Sequence, residues 1–207
     1  MRTTAISAGF LLLASPAAFP FAHLWDIQEV YSNSDGSVQF VEFFTDGGGE
    51  FFLSGVQMQL ELSGSPTSTF TFPSGLSGPT TANRTFLAAT ANFSTLFGIT
   101  PDYIIPANFL IGGSNRTLEF GPGFDEVSLT FLPTNGVMSL NGIPNNDSPD
   151  AISLNPQATP RNFAGQEVTI PEPSSALLVI AAGLSALIIF RRTRGRRNLS
   201  AVTPAPF

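Results

Sequence analysis

The chain has 207 residues, contains no cysteine and no lysine, and carries a formal net charge of −6 at pH 7. The lack of cysteine excludes disulfides, thiolate catalysis and cysteine metal sites, and the lack of lysine excludes a phosphate loop of the G-x4-G-K type. Residues 23–170 hold 14 acidic residues against three arginines, and this negative charge predicts that nucleic acid is not a partner.

Residues 1–22 have the pattern of a secretory signal peptide. Arg2 gives a short positive start, residues 5–14 are apolar, and small residues follow them. The export machinery and signal peptidase recognise this order. We expect cleavage after Ala17, Ala18 or Ala22 and prefer the last, which predicts a signal helix over 1–22 and a mature domain from His23.

Residues 23–165 predict a single, mostly β domain. Val56, Met58, Leu60 and Leu62 alternate with polar residues, as in a half-buried strand. The segment 33–36 is a hairpin-turn signal, and 135–136 is a second turn signal. Predicted strands cover 25–31, 38–44, 51–53, 56–62, 69–72, 85–89, 127–131 and 137–140, with a short helix over 91–97 capped by Thr90 or Asn92.

Short strands punctuated by Pro and Gly favour a sandwich or barrel, and 15 of the 20 Phe residues lie in 23–170 to fill its core. A short echo, Ser139-Leu140-Asn141 and Ser153-Leu154-Asn155, is too brief for a structural repeat.

Several motifs in this domain resemble a lamin-tail-type domain. They are Trp25–Val30, Val38–Glu42, Leu53–Val56, Phe70–Pro73, and Thr159–Asn162 followed by Gly165. The chain departs from the family pattern at Gln57-Met58, where a tryptophan is usual. The resemblance implies an immunoglobulin-like β-sandwich and no particular activity, because that fold is a scaffold. Glu29 and Glu42 are either a shared acidic feature of its first hairpin or simple strand-edge carboxylates.

Few residues have the pattern of a catalytic site. The single histidine, His23, adjoins the predicted cleavage point, so histidine-based triads and HExxH zinc sites are not expected. Two acidic pairs, Asp125 with Glu126 and Glu29 with Glu42, have the residue type that glycosidases use. Solvated surface acids explain both pairs better, and we predict that the protein is not an enzyme.

Three loops carry oxygen ligands of the kind that calcium prefers. Asp35 lies beside Asn33, Asp46 lies near Glu50, and a third group lies in 145–150. None has the D-x-D-x-D-G spacing of a calcium loop. The sequence therefore predicts no metal site and no cofactor, and a calcium- or carbohydrate-dependent adhesion module stands as the alternative to a structural role.

Residues 174–190 predict a single transmembrane helix. These 17 residues are uncharged, and as a helix they would span about 26 Å, slightly less than a hydrocarbon core of about 30 Å. A basic cluster follows at once, composed of Arg191, Arg192, Arg194, Arg196 and Arg197. Such a cluster stops transfer and stays in the cytoplasm, so 191–207 is predicted to be a cytoplasmic tail and the domain to lie outside the membrane. An ordinary C-terminal anchor has the same features.

Pro171, Glu172 and Pro173 precede this helix, at the end of a linker predicted over 166–173. The order of triplet, apolar run and arginine cluster resembles the PEP-CTERM sorting signal of bacterial exosortase substrates. Tails in that family end soon after the basic cluster, whereas residues 198–207 follow it here. The resemblance implies that an exosortase-type transpeptidase processes the tail. We therefore expect a non-enzymatic protein, first anchored in the membrane and then sorted to the cell surface or extracellular polymeric matrix, with exopolysaccharide as a further expected partner.

Overall fold

The structure, a computed structural model, describes residues 22–110, 115–121, 123–142 and 152–171. Within them the chain is mostly β, with two sheets and one short helix. The strands are β1 Asp26–Ser32, β2 Gln39–Thr45, β3 Gln57–Leu62, β4 Ser65–Thr71, β5 Arg84–Thr90, β6 Tyr103–Ile105, β7 Arg116–Phe120, β8 Asp125–Leu129, β9 Ser139–Gly142 and β10 Ile152–Asn155, and helix α1 is Asn92–Phe97.

The two sheets are arranged as in a β-sandwich. One has six strands in the order β10-β9-β1-β2-β5-β6, and the other has four in the order β4-β3-β7-β8. Neighbouring strands are antiparallel except β5 and β6, which are parallel and are connected through α1. Apolar side chains from both sheets form one buried cluster, so the main core lies between the sheets.

Phenylalanine rings make up much of this core. Phe43 of β2 stacks on Phe86 of β5 with ring centroids 4.4 Å apart, and Phe120 of β7 approaches Phe43 at 4.8 Å. Trp25 meets Phe86 edge-on at 4.7 Å. Each such aromatic pair contributes about 0.5–1.5 kcal/mol beyond the burial of its area.

The six-stranded sheet is also covered on its second face. Residues 156–171, which we call the closing segment, cross this face together with α1. Ala158 and Ile170 of this segment share a buried cluster with Phe40, Leu87 and Phe93. Because both faces are covered, β1, β2 and β5 are buried along almost their whole length, whereas β3 alternates between buried and half-buried positions.

The closing segment doubles back on itself. The N–H of Ile170 donates to the Ala158 carbonyl at 2.9 Å, and the N–H of Val168 donates to the Pro160 carbonyl at 3.2 Å. Ile170 is only 1 % exposed. Residues 166–170, which the sequence places in a linker, are thus held in the fold, and Pro171 is the first exposed residue after them.

The predicted strands are found near their expected places, with two exceptions. Residues 51–53 form a loop, and the strand expected at 69–72 begins earlier, at Ser65. Three strands were not predicted, namely β6, β7 and β10. The helix forms as predicted, but Ala91 is its N-cap residue and no side chain caps it.

Among the described residues, no helix is long and apolar enough to cross a membrane. The expected signal peptide over 1–22, apart from Ala22, lies outside the described residues, as do the transmembrane helix expected over 174–190 and the basic tail expected over 191–207.

Candidate functional site

Four buried carboxylates and one half-buried carboxylate accept hydrogen bonds from backbone N–H groups of distant segments. The buried ones are Glu29, Glu42, Glu50 and Asp125, and the half-buried one is Asp102. Burying a charged or polar group is costly unless it is hydrogen-bonded, so these contacts offset the cost of burial. The pattern indicates that the carboxylates fasten the fold together.

Glu29 and Glu42 hold the closing segment on the six-stranded sheet. They lie directly opposite each other on β1 and β2. Glu29 accepts the N–H of Thr159 at 3.1 Å, and Glu42 accepts the N–H of Arg161 at 2.5 Å. Glu29 also accepts the Ser139 hydroxyl at 2.5 Å. We call Glu29 and Glu42 the clasp, because together they tie two residues of the closing segment to the central hairpin.

The clasp carboxyls have raised pKa values. Burial raises the pKa of Glu42 to about 8, the Arg161 N–H partly offsets this, and the nearby charge of Glu29 adds to it. Burial also raises the pKa of Glu29, against the lowering effect of its Ser139 and Thr159 hydrogen bonds. Two like charges opposite each other in a sheet repel, which favours the protonated form of Glu42.

The other candidate acids do not form a catalytic pair. Asp125 is buried and accepts the N–H of Ile27 at 2.6 Å, which joins β8 to the start of β1. Glu126 is its neighbour on β8, and successive side chains of a strand point to opposite faces. Asp102 likewise accepts N–H groups from Leu87 at 2.8 Å and Phe163 at 2.9 Å.

Two of the calcium candidates, Asp35 and Glu50, already accept hydrogen bonds from within the protein. Asp35 accepts both the N–H of Ser37 at 3.0 Å and its hydroxyl at 2.6 Å, as in an ordinary polar turn. Glu50 accepts the N–H of His23 at 2.9 Å. In the described part of the chain no three His, Cys, Asp or Glu side chains group together as a metal site would need. The loop at 145–150 lies outside the described residues.

An open groove of about 400 Å³ lies between the start of β5 and the closing segment. Its principal side chains are Phe44, Asn83, Arg84, Arg161, Phe163 and Glu167. This volume is in the range of small-molecule sites, which are usually about 300–1,000 Å³. The groove brings together polar, charged and aromatic groups from two distant parts of the sequence.

The two arginines of the groove differ in their partners. Arg161 pairs with Glu167 through its Nε at 2.9 Å and through its Nη2. Arg84 donates from Nη1 to the Phe163 carbonyl at 3.0 Å, and its Cζ lies 5.1 Å from the centroid of the Phe163 ring. Among the described residues Arg84 forms no ion pair.

The expected sorting residues are only partly described. Pro171 is exposed and follows the buried Ile170 directly, whereas Glu172, Pro173 and the five arginines of the tail lie outside the described residues. The sequence did not predict the groove, because Arg84 and Arg161 are 77 residues apart and no local pattern links them. The one sequence feature that pointed to this region was the run Thr159–Asn162, which is among the motifs that resemble a lamin-tail-type domain.

Comparisons of the chain with protein-family models, with curated proteins and with solved structures find no match.

Proposed function

We propose that this chain is a non-enzymatic exported protein, which a C-terminal PEP-CTERM-type signal sorts to the cell envelope or the extracellular polymeric matrix. Export and sorting rest on the sequence patterns of the two ends. The observation that carries the proposal is the way the domain ends. The closing segment is fastened down to Ile170, and the triplet beginning at Pro171 follows at once.

The buried carboxylates support a structural or interaction role. Glu29, Glu42 and Asp125 are three of the four acids with the residue type of a glycosidase pair, and each of these three accepts a backbone N–H that ties distant segments together. A general acid or base must instead lie within reach of a bound substrate. These side chains are committed to the fold.

The close junction between domain and tail also supports processing outside the membrane. Three residues separate the buried Ile170 from the predicted start of the membrane helix at Ser174. A fully extended chain advances at most about 3.3–3.6 Å per residue, so the domain would be held within roughly 15 Å of that start. An exosortase-type enzyme in the membrane would find the triplet between the two.

The test of sorting is a truncation with a matched control. A chain that ends at Pro171 keeps the clasp and Ile170 but loses the apolar run and arginines, so we expect it in the medium or periplasm. A chain that ends at Arg197 keeps the whole tripartite signal and should fractionate like the full-length protein. Cell fractionation and the intact mass of the mature chain report the outcome. If the chain that ends at Pro171 stayed with the membrane or surface, the proposal would be wrong.

We also propose that the domain is an immunoglobulin-like β-sandwich of the lamin-tail type. Support comes from the first hairpin, where the two glutamates of its motifs are paired across β1 and β2, and from the loop of Thr159–Gly165, which crosses to that hairpin. An experimental structure with a different strand order in the two sheets would contradict this assignment.

A binding module is the second candidate function. The observation that favours it is the groove with its two arginines and two phenylalanines. Guanidinium groups bind anions and repel cations, so this groove favours a carbohydrate or another organic ligand over calcium. Thermal-shift measurements with a glycan panel and with calcium distinguish a carbohydrate-binding module from a calcium-binding one.

A further inference from the structure

The groove gathers positive charge in an acidic domain. Residues 23–170 contain only three arginines and no lysine, and two of the arginines, Arg84 and Arg161, line this one groove. The third, Arg116, lies on β7 of the other sheet and donates to the Thr67 hydroxyl at 3.0 Å. With acids in such excess, an arginine without an ion pair is available for an external anion.

Arg84 is held in place and keeps most of its donors available. Its Nη1 bonds to the Phe163 carbonyl, and its guanidinium lies over the Phe163 ring. A guanidinium has five N–H donors, and among the described residues Arg84 uses them for this single hydrogen bond. Because its position is fixed before a ligand arrives, binding would cost little side-chain entropy.

We propose that the groove binds a hexuronate, a sugar ring that carries a carboxylate, with Arg84 as the carboxylate ligand. The planar fork of a guanidinium matches the two oxygens of a carboxylate. Phe44, which is half-buried, provides an apolar wall for the face of the ring. Asn83 and Glu167 provide an amide and a carboxylate that can bond to its hydroxyls.

The surrounding charge favours this ligand over phosphate. Arg161 is already neutralised by Glu167 at the edge of the groove, so the free positive charge is essentially that of Arg84. One carboxylate matches the fork of one guanidinium, whereas a phosphate would direct further charged oxygens toward Glu167. Glu167 would repel phosphate oxygens but accepts hydrogen bonds from sugar hydroxyls.

This inference deepens the second candidate function and rests on it, because a hexuronate ligand gives the binding module its substrate class. It does not depend on sorting. Binding is measured on purified protein, whereas sorting is measured by fractionation, so each can fail without the other.

The test is calorimetric titration of the full-length chain, purified in mild detergent, with trigalacturonate. The neutral trisaccharide galactotriose is the matched ligand control, and phosphate and acetate are the free-anion controls. We expect trigalacturonate to bind with a dissociation constant of about 1 mM or tighter and galactotriose to bind at least about tenfold more weakly. Absent binding, or equal binding of galactotriose, would overturn the proposal. Equal competition by acetate or phosphate would also overturn it, because it would show a general anion site.

Three variants connect binding to the groove. Arg84→Gln should weaken trigalacturonate binding about tenfold or more, while Arg116→Gln, which removes the same charge from the other sheet, should leave it unchanged. Arg84→Lys keeps the charge but loses the fork, so it should bind with intermediate affinity and decides the question if Arg84→Gln unfolds. Equal losses in the Arg84 and Arg116 variants, with all chains folded by thermal unfolding, would contradict the assignment.

Discussion

At the scale of single residues, the fold is fastened by carboxylates that bond to backbone N–H groups. Glu29 and Glu42 could be recognised in the sequence as paired acids, but their role could not, since it depends on Thr159 and Arg161 more than a hundred residues away. A buried carboxylate that binds the backbone has no local sequence signature. Alternation along a strand reports which face is buried, and it does not report what lies on that face.

The raised pKa of Glu42 predicts a pH-dependent stability. Its pKa is about 8 in the folded chain against an ordinary value of 4.5, so the folded state binds the proton more tightly than the unfolded state. The stability from this group is therefore complete below about pH 4.5 and is lost as pH rises through about 8, by an amount on the order of 5 kcal/mol. Urea unfolding of the full chain at a series of pH values measures the loss.

Glu42→Gln isolates this effect. Glutamine keeps an oxygen that can accept the Arg161 N–H but does not titrate, so we expect most of the stability loss between pH 6 and 9 to disappear. Glu61→Gln, at a half-exposed position of β3, is the matched control and should keep the wild-type pH profile. An unchanged profile in Glu42→Gln would show that another group titrates in this range.

At the scale of elements, local patterns predict most of the described strands and miss β6, β7 and β10. The β1–β2 hairpin was predicted to within one residue at each end because β-branched and aromatic residues flank a polar turn. Strand β6 has only three residues and lies between two prolines, and β10 has only four residues, of which two are polar. The two Ser-Leu-Asn segments, which are too short to predict a structural repeat, lie on neighbouring strands. They pair with each other across β9 and β10, where Leu154 lies opposite Leu140.

Residues 166–170, the last part of the closing segment, are predicted from the sequence to belong to a linker. The place of this segment in the fold comes from tertiary contacts, namely the clasp and the burial of Ile170. Two kinds of information were therefore needed, the local composition and the acceptors on a distant hairpin. Only the first can be read from a single sequence.

Ile170→Ala tests whether this segment belongs to the domain. Ile170 is 1 % exposed and packs with Ala158 and Phe40, so the truncation should cost about 2–4 kcal/mol of unfolding free energy. Ile104→Ala removes the same atoms from a side chain that is 52 % exposed and should cost less than about 1 kcal/mol. Equal, small losses in the two variants would mean that residues 166–170 act as a linker after all. Chemical denaturation of the full chain gives both values.

At the scale of the whole molecule, charge is unevenly distributed, and basic residues are rare in the described part. The three arginines there are all anchored, Arg84 at the start of β5, Arg116 in β7 and Arg161 by its backbone bond to Glu42. The sequence predicted the acidic balance and the mostly β class from composition. It could not predict that two of these arginines meet, because that depends on the path of the closing segment.

Trypsin, which cuts after arginine and lysine, should therefore leave the described domain intact. Cleavage needs an extended, unbonded backbone, and each of these three arginines lies in hydrogen-bonded structure. In native buffer we expect no product cut after Arg84, Arg116 or Arg161, and in denaturing urea we expect all three cuts. Mass spectrometry of the fragments reads the result, and rapid native cleavage after Arg161 would show that the clasp opens readily.

The closing segment also determines how the domain would respond to mechanical force. A pull on the C-terminal end reaches the fold at Ile170, whose N–H bond to Ala158 is the first bond loaded. The paired halves of the segment would open one hydrogen bond at a time, and the bonds to Glu29 and Glu42 would carry load only afterwards. Tension would thus lengthen the chain by a short stretch while the two sheets stay packed. The closing segment, which covers the second face of the six-stranded sheet, would then be the part of the domain that extends under load.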